Sequence, residues 1–200
     1  MIETVTVDKD SLDFLRAIYF GAYKDPYEAA SNRAYRDMNR TIRFKGLDAE
    51  KRNGLRSGTT DILRSGITRL IESPVSDQTD LDHWHCEMCS MIREKYRGEG
   101  VEFTYGQAQK WLNMTCKYLY IIGETDFKGV FDYLHIPLDN YIFDVAKKEL
   151  GIPRPLIAWS RWDDYDLQYM TYQNMMRSGI SEVAPLRWEF RYWLKEARER

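Results

Sequence analysis

The sequence is poor in the residues that mark several protein classes. It has 3 cysteines, 6 prolines and 12 glycines among 200 residues. The cysteine count is odd, and Cys86 and Cys89 are too close in sequence for a disulfide framework, which indicates a reducing compartment and predicts a cytoplasmic location. The longest apolar run near the middle, Tyr118 to Ile122, is far too short to span a bilayer. Met1 to Asp10 lacks the basic and apolar regions of a signal peptide. We therefore expect no membrane partner, and collagen-like, transmembrane and disulfide-rich classes are excluded.

A strong net charge is also missing. The chain carries 29 basic and 31 acidic residues, a formal net of -2, so no overall field attracts nucleic acid. The distribution is uneven, however. Arg16 to Leu70 holds 12 basic and 6 acidic residues, a net of +6, whereas Gly123 to Met170 holds 5 basic and 9 acidic residues, a net of -4. The amino-terminal third is thus the region best suited to bind an anion or a phosphate backbone.

Apolar residues recur at spacings of three and four along most of the chain, which predicts a single all-α domain of about eight helices over residues 1–200. Residues 46–58 are polar, basic and contain glycine, so they are predicted to form a basic surface loop. The capping-box pattern Thr104-Tyr105-Gly106-Gln107 opens the strongest predicted helix, which reaches about Ile122. The second predicted helix extends to about Phe44. The predicted helix starts are Asp10 or Ser11, Pro26, Thr59 or Thr60, Asp80, Thr104, Asp139, Asp163 and Pro185.

Four arginines follow one another at spacings of 3, 4 and 3, which places them on one face of a helix. They are Arg33, Arg36, Arg40 and Arg43. Guanidinium groups bind phosphate in a bidentate manner, so the stripe is a candidate site for a nucleotide phosphate or a nucleic-acid backbone. The alternative is a solvated face, with Glu28 and Asp37 as local partners.

The segment His83-Trp84-His85-Cys86-Glu87-Met88-Cys89 contains a Cys-x-x-Cys pair beside two histidines. A structural zinc site needs four ligands, and Cys116 and His135 are not paired at ligand spacing. We interpret the cysteines as packed core residues and predict neither a metal nor another cofactor. The alternative is a small metalloprotein in which Cys86 and Cys89, about one helical turn apart, share a metal.

Trp159-Ser160-Arg161-Trp162 follows two prolines and is predicted to lie in a loop. Trp159 and Arg161 could stack on a base and contact a phosphate. The alternative is that the tryptophans fill the core from the loop.

A lysine and an aspartate form the last candidate site. Lys110, Asn113 and Lys117 share a polar helix face, and Asp139 opens a later helix after Pro137. A lysine amine attacks a sugar carbon as a nucleophile, and a nearby carboxylate holds the amine, stabilises an oxocarbenium-like charge or relays a proton. The alternative is an exposed helix lysine and an ordinary N-cap aspartate.

Gly106-x-x-x-Lys110 followed by Ile136-Pro137-Leu138-Asp139 resembles the helix–hairpin–helix DNA glycosylases, especially the archaeal-type 8-oxoguanine branch. The resemblance covers about Tyr105 to Ile142. It implies an all-helical fold, base removal from nucleic acid, Lys110 as Schiff-base nucleophile with Lys117 as second choice, and Asp139 as catalytic aspartate. Gly106 and Gln107 would stand in the hairpin whose backbone amides grip a DNA phosphate.

The family hairpin is usually Leu-Pro-Gly-Ile/Val-Gly, whereas this chain has Phe103-Thr104-Tyr105-Gly106-Gln107. This difference and the near-neutral charge leave a second hypothesis open. The chain is then a non-catalytic helical module that binds a nucleotide, a nucleic acid or a protein partner, as would suit conflict between bacteria and phages.

Overall fold

The structure is a computed structural model that describes residues 7–181 and 183–199, and this part of the chain is all-helical without a strand. The prediction of one all-α domain of about eight helices is confirmed. The helices are α1 (Lys9–Phe20), α2 (Pro26–Met38), α3 (Ala49–Glu72), α4 (Gln78–Arg97), α5 (Tyr105–Ile122), α6 (Asn140–Leu150), α7 (Thr171–Gly179) and α8 (Pro185–Glu199). A π-helical segment, Tyr165–Met170, runs directly into α7.

Helix α5 forms the centre of the domain and is buried along nearly its whole length. The predicted capping box is present, because the Thr104 hydroxyl accepts the Gln107 N–H at 3.1 Å and the Gln107 side chain accepts the Thr104 N–H at 3.0 Å. Gly123 ends the helix in the left-handed conformation at φ 80°, which glycine adopts without a Cβ clash. Helix α5 has apolar or uncharged residues on several faces, so other helices can pack around it. It packs against α2, α3 and α4.

The predicted loop at residues 46–58 is wrong beyond residue 48, because α3 begins at Ala49 and continues to Glu72. Asp48 caps the helix by accepting the Lys51 N–H at 2.8 Å. Thr59, an expected cap, lies buried inside the helix and donates its hydroxyl to the Leu55 carbonyl at 2.9 Å. Gly58, which suggested a loop, lies where a Cβ would approach Lys95 of α4 at 2.4 Å. The helix therefore carries glycine where a neighbouring helix packs closely.

Helix α2 ends earlier than predicted, at Met38 rather than near Phe44. A short 3-10 turn, Asn39–Thr41, follows it and changes the direction of the chain. Arg40 and Arg43 therefore lie beyond the helix, and the four arginines do not share one helical face.

Three other helical segments begin after an aspartate that lies close in sequence to the predicted start but is not the predicted residue. Asp8, Asp77 and Asp164 each stand in extended backbone and accept an N–H of the first turn, as an N-cap does. The starts predicted at Pro26, Thr104, Asp139 and Pro185 are confirmed.

Helix α1 lies on the surface and covers the end of α5. Arg16 donates its Nε to the Ile121 carbonyl at 3.3 Å, while Phe14, Leu15 and Ile18 remain exposed. In the described ranges, α1 included, the structure has no helix with the length and apolar character needed to cross a membrane.

Candidate functional site

The structure brings Lys110 and Asp139 together, as the sequence predicted. The Lys110 Nζ donates to Asp139 Oδ2 at 2.5 Å, and Asp139 Oδ1 accepts the Ile142 N–H at 2.9 Å as the N-cap of α6. Gln109 holds the preceding residue by donating to the Leu138 carbonyl at 2.9 Å and accepting the Leu138 N–H at 3.3 Å. The approach of Asp139 to α5 is thus set by backbone hydrogen bonds as well as by charge.

The two members of this pair differ in their access to solvent. The Lys110 side chain is only 6% exposed, whereas that of Asp139 is 25% exposed. Burial raises the pKa of Asp139, but the charges of Lys110 and Lys117 and the hydrogen bonds that the carboxylate accepts outweigh burial and lower that pKa below its ordinary value. The pair therefore joins an ionised, partly exposed carboxylate to a buried lysine.

Lys117, two turns further along α5, belongs to a second and deeper ion pair. Its Nζ donates to Glu189 Oε1 of α8 at 2.7 Å, with side chains 10% and 2% exposed. The ammonium group also lies 5.0 Å from the ring centre of Phe190. The second oxygen of Glu189 has no hydrogen-bond partner among the described residues. Lys117 is thus held in a buried ion pair and is less exposed than Asp139.

A buried hydrogen-bond network beside α5 was missed by the sequence analysis. Its centre is the Tyr169 hydroxyl, which accepts from the Asn113 amide at 2.9 Å and from the Gln173 amide at 3.0 Å. The same hydroxyl lies 2.8 Å from His135 Nδ1 and 3.3 Å from His85 Nε2. On its other side, His135 Nε2 lies 2.7 Å from Asp82 Oδ1 and 2.7 Å from a guanidinium nitrogen of Arg177.

The network continues from Asn113 to α4. Because the Asn113 amide nitrogen donates, its oxygen accepts, and His85 Nε2 donates to it at 2.8 Å. His85 Nδ1 in turn accepts from the Tyr165 hydroxyl at 2.8 Å. The two histidine rings stack with their centres 4.2 Å apart. The network therefore joins Tyr165, through His85 and Asn113, to Tyr169 and on to Asp82.

Charge and burial keep both histidines neutral. Burial lowers the pKa of His135 to about 4, against a partial rise caused by Asp82. Burial and the neighbouring His135 lower the pKa of His85 well below its ordinary value. Asp82 is only part-buried and is also bound by Arg177, at 2.8 Å and 2.6 Å. The sequence signal for this network was the placement of Gln109 and Asn113 four residues apart on a helix whose neighbours are apolar.

The four arginines of the predicted stripe fall into two groups. Arg33 lies over the Tyr19 ring at 4.3 Å and near Asp37 at 3.7 Å, and it lines a cavity at the end of α1 together with Arg36. Arg40 and Arg43, beyond the end of α2, instead line a separate open cleft. We call this the arginine cleft.

The arginine cleft has a volume of about 460 Å³ and is formed by three separate segments of the chain. Arg161 joins Arg40 and Arg43 there, and all three are exposed. Within residues 7–181 and 183–199, none of these three guanidinium groups forms an ion pair. Hydroxyl groups of Thr41, Thr104 and Ser160 complete the lining, together with Gln107 and Glu102.

The Gly106 N–H and the Gln107 side-chain amide form hydrogen bonds within the protein, so they are not free to donate to a ligand in the arginine cleft. The Gly106 N–H donates to the Trp162 carbonyl at 2.9 Å, and a Cβ on Gly106 would lie 1.7 Å from the Trp159 carbonyl oxygen. Gln107 donates its amide to the Thr41 carbonyl at 2.8 Å. Trp159 and Trp162 are both buried, so their rings fill the core, while Arg161 between them reaches the cleft.

The His83–Cys89 segment lies on α4 and does not assemble metal ligands. His83 is exposed whereas His85 is buried, because residues two apart on a helix face different directions. In the part of the chain that the structure describes, no group of three or more histidine, cysteine or acidic side chains could hold a metal ion.

Comparison of the chain with protein-family models, with curated proteins and with solved structures gives no match.

Proposed function

We propose that this chain binds a phosphate-bearing ligand, a nucleotide or a nucleic acid, in the arginine cleft. The observation that carries the proposal is the convergence of Arg40, Arg43 and Arg161 on one open cleft without an ion-paired acid. Three neighbouring cations repel one another, and an anion with several oxygens relieves that repulsion while accepting bidentate hydrogen bonds. Ser160 beside the arginines adds a neutral hydroxyl of the kind that contacts phosphate, whereas the Thr41 and Thr104 hydroxyls already donate to the Met38 and Ser160 carbonyls.

Helix α5 gives this cleft a rigid base. Thr104 and Gln107 at its amino-terminal end are held by the capping box, and Gln107 ties Thr41 to the same helix. The arginines come from segments held against that base, so the backbone of the cleft is fixed, while the exposed arginine side chains become ordered when a ligand binds.

Replacing both Arg40 and Arg161 by glutamine is expected to weaken binding of a short single-stranded DNA oligonucleotide by roughly tenfold or more, since each charge-assisted hydrogen bond contributes about 1.5–3 kcal/mol. The dependence of log Kd on log salt should also become shallower by about 0.7 for each phosphate that the variant no longer neutralises. Fluorescence anisotropy over a salt series measures both quantities.

Two variants control this experiment. Arg69→Gln removes an exposed arginine of α3 outside the cleft and should leave the affinity and the salt slope nearly unchanged. Glu102→Gln removes the acid that lines the cleft and should strengthen binding. Binding that is indifferent to salt, or that survives removal of both arginines, would show that the cleft is not the binding site.

A second candidate function, base removal from a nucleic acid, is favoured by the 2.5 Å contact between Lys110 and Asp139. Asp139 is 25% exposed and its lowered pKa keeps it ionised, so it could stabilise the positive charge that develops on a sugar when a base departs. Lys110 would act as nucleophile only after it gives up its proton and leaves the carboxylate. Lys110 lies on the same central helix as the base of the arginine cleft, and Asp139 contacts it from the start of α6.

If Lys110 forms a Schiff base, borohydride should trap a covalent adduct with an oligonucleotide that contains 8-oxoguanine, since reduction makes that linkage permanent. The adduct should disappear in Lys110→Gln and persist in Lys117→Gln. Adducts are read by gel shift and mass spectrometry, with circular dichroism to confirm that both variants are folded. Failure to trap any adduct, or trapping by Lys110→Gln, counts against this chemistry.

A further inference from the structure

We infer that α1 forms an interface between two copies of this chain, in which one α1 packs antiparallel against the other. The inference does not depend on the arginine cleft or on its ligand. It rests on the orientation of α1, a 12-residue helix of which none of the residues, all of them described, is buried. An isolated helix of this length is only marginally stable in water, so its stability must come mainly from packing.

Helix α1 presents its apolar side to solvent. Phe14 and Ile18 are each 66% exposed, and Leu15 is 57% exposed. These three side chains share one face, because residues three and four apart are neighbours on a helix. The charged residues Asp13 and Arg16 are only partly exposed, and Arg16 donates its Nε to a carbonyl of α5 at 3.3 Å. A surface helix normally has the reverse arrangement, with its apolar side against the core and its charged side in water.

The exposed apolar face is large enough for a specific contact. Leu12 and Tyr19, which are also exposed, extend it on one side. Covering this face in both copies would remove on the order of 1,000 Å² of accessible surface in total, which is the lower limit for a specific interface. Interfaces of this size are generally weak, so we expect a reversible dimer rather than an obligate one.

The chemistry of this face favours a second copy of the chain as the partner. A two-fold interface places the same patch of both copies against itself, so a charge near the symmetry axis would meet a like charge. Phe14, Leu15, Ile18 and the neighbouring Ser11 carry no charge, which makes the face compatible with itself. A helix that lies on an anionic lipid surface has lysines or arginines beside its apolar side, whereas here Asp10 stands one turn before Phe14.

The charges at the two ends of α1 indicate the antiparallel arrangement. Asp8 and Asp10 stand at its amino-terminal end, and Lys24 follows its carboxyl-terminal end. Asp10 and Lys24 are exposed, and neither forms an ion pair within the described residues. Antiparallel helices bring the acidic end of one copy toward Lys24 of the other, whereas parallel helices bring the two acidic ends together.

Sedimentation velocity of the full chain at concentrations from about 1 to about 300 μM measures the association. We expect the mass to rise toward twice that of one chain as the concentration increases. Ile18→Glu should weaken the association by about tenfold or more, because it buries a charge without a partner in an apolar contact. In dilute solution, where the wild type is monomeric, this variant should unfold at the same urea concentration as the wild type, since Ile18 is exposed there. Leu156→Glu, at a fully exposed leucine outside α1, should associate like the wild type.

A charge reversal tests the antiparallel arrangement. Lys24→Glu should weaken association several-fold at low salt and less at high salt, because it places an acid near Asp8 and Asp10 of the other copy. An affinity unchanged by Lys24→Glu would overturn the antiparallel arrangement. A wild-type chain that stays monomeric throughout, or an Ile18→Glu variant that associates like the wild type, would overturn the interface itself. Monomeric protein that floats with phosphatidylcholine–phosphatidylserine vesicles would also overturn it and would assign the face to a lipid surface.

Discussion

Lys117→Met is expected to lower the free energy of unfolding by about 3–5 kcal/mol, because it leaves Glu189 as a buried charge without a partner. Glu189 is 2% exposed, and its other carboxylate oxygen already lacks a hydrogen bond among the described residues. The carboxylate must then either take up a proton or draw α8 away from α5. Urea unfolding followed by circular dichroism measures the decrease in stability.

The double variant Lys117→Met/Glu189→Leu tests the cause of this decrease. Replacing both members of a buried ion pair by apolar residues is often neutral or stabilising, so most of the stability should return. Lys148→Met removes a lysine that pairs with Glu196 and Glu199 at the surface, and it should barely move the unfolding midpoint. A double variant no more stable than Lys117→Met would mean that the lysine stabilises the fold by packing rather than by pairing.

The helices were predictable where local chemistry determines them. Thr104 and Gln107 satisfy each other's backbone within four residues, and Asp139 caps its own helix, so both starts could be identified from short segments. The start of α3 was missed for the opposite reason. Gly58 there lies inside the helix beside the flexible end of Lys95 of α4, and sequence alone does not distinguish a glycine inside a helix from one required by a turn.

The candidate site was predictable only in part, because its pairs join distant segments. Lys110 and Asp139 were matched through their resemblance to a known motif, whereas nothing in the sequence links Lys117 to a glutamate 72 residues away. The arginine cleft also joins distant segments and was not predicted from the sequence. The predicted helical stripe depended on α2 continuing past Met38, and the turn at Asn39–Thr41 separates Arg40 from Arg36 and directs it toward Arg161.

The buried network around Tyr169 could not be predicted from the periodicity of apolar residues. Each of its residues resembles an ordinary polar residue of a helix or, for His135, of a connecting segment, and the network forms only where four segments meet at one hydroxyl. Through Gln109, which accepts from Asn113 and pairs with the Leu138 backbone, the network also supports the residue that precedes Asp139. Protonation inside the network should therefore affect the fold and the candidate site together.

Acidification from about pH 7.5 to about pH 5 is expected to remove about 2 kcal/mol of stability through His135 alone. The ordinary pKa of histidine is 6.5, and burial lowers that of His135 to about 4. Above pH 6.5 the residue is neutral in both the folded and the unfolded chain. Between pH 6.5 and 4 the unfolded chain binds a proton that the folded chain does not, so stability falls as the pH falls. His85, whose pKa is also lowered, acts in the same direction.

Urea unfolding at a series of pH values measures this dependence, and two histidine variants identify its source. His135→Gln removes the titrating ring, so the slope of stability against pH should decrease over this window even though the variant is less stable at pH 7.5. His83→Gln, at an exposed position of α4, should keep the wild-type slope. An unchanged slope in His135→Gln would place the acid sensitivity elsewhere. A decreased slope would show that His135 is a source of the acid sensitivity, because a protonated His135 ring would be a buried charge facing the guanidinium of Arg177 at 2.7 Å.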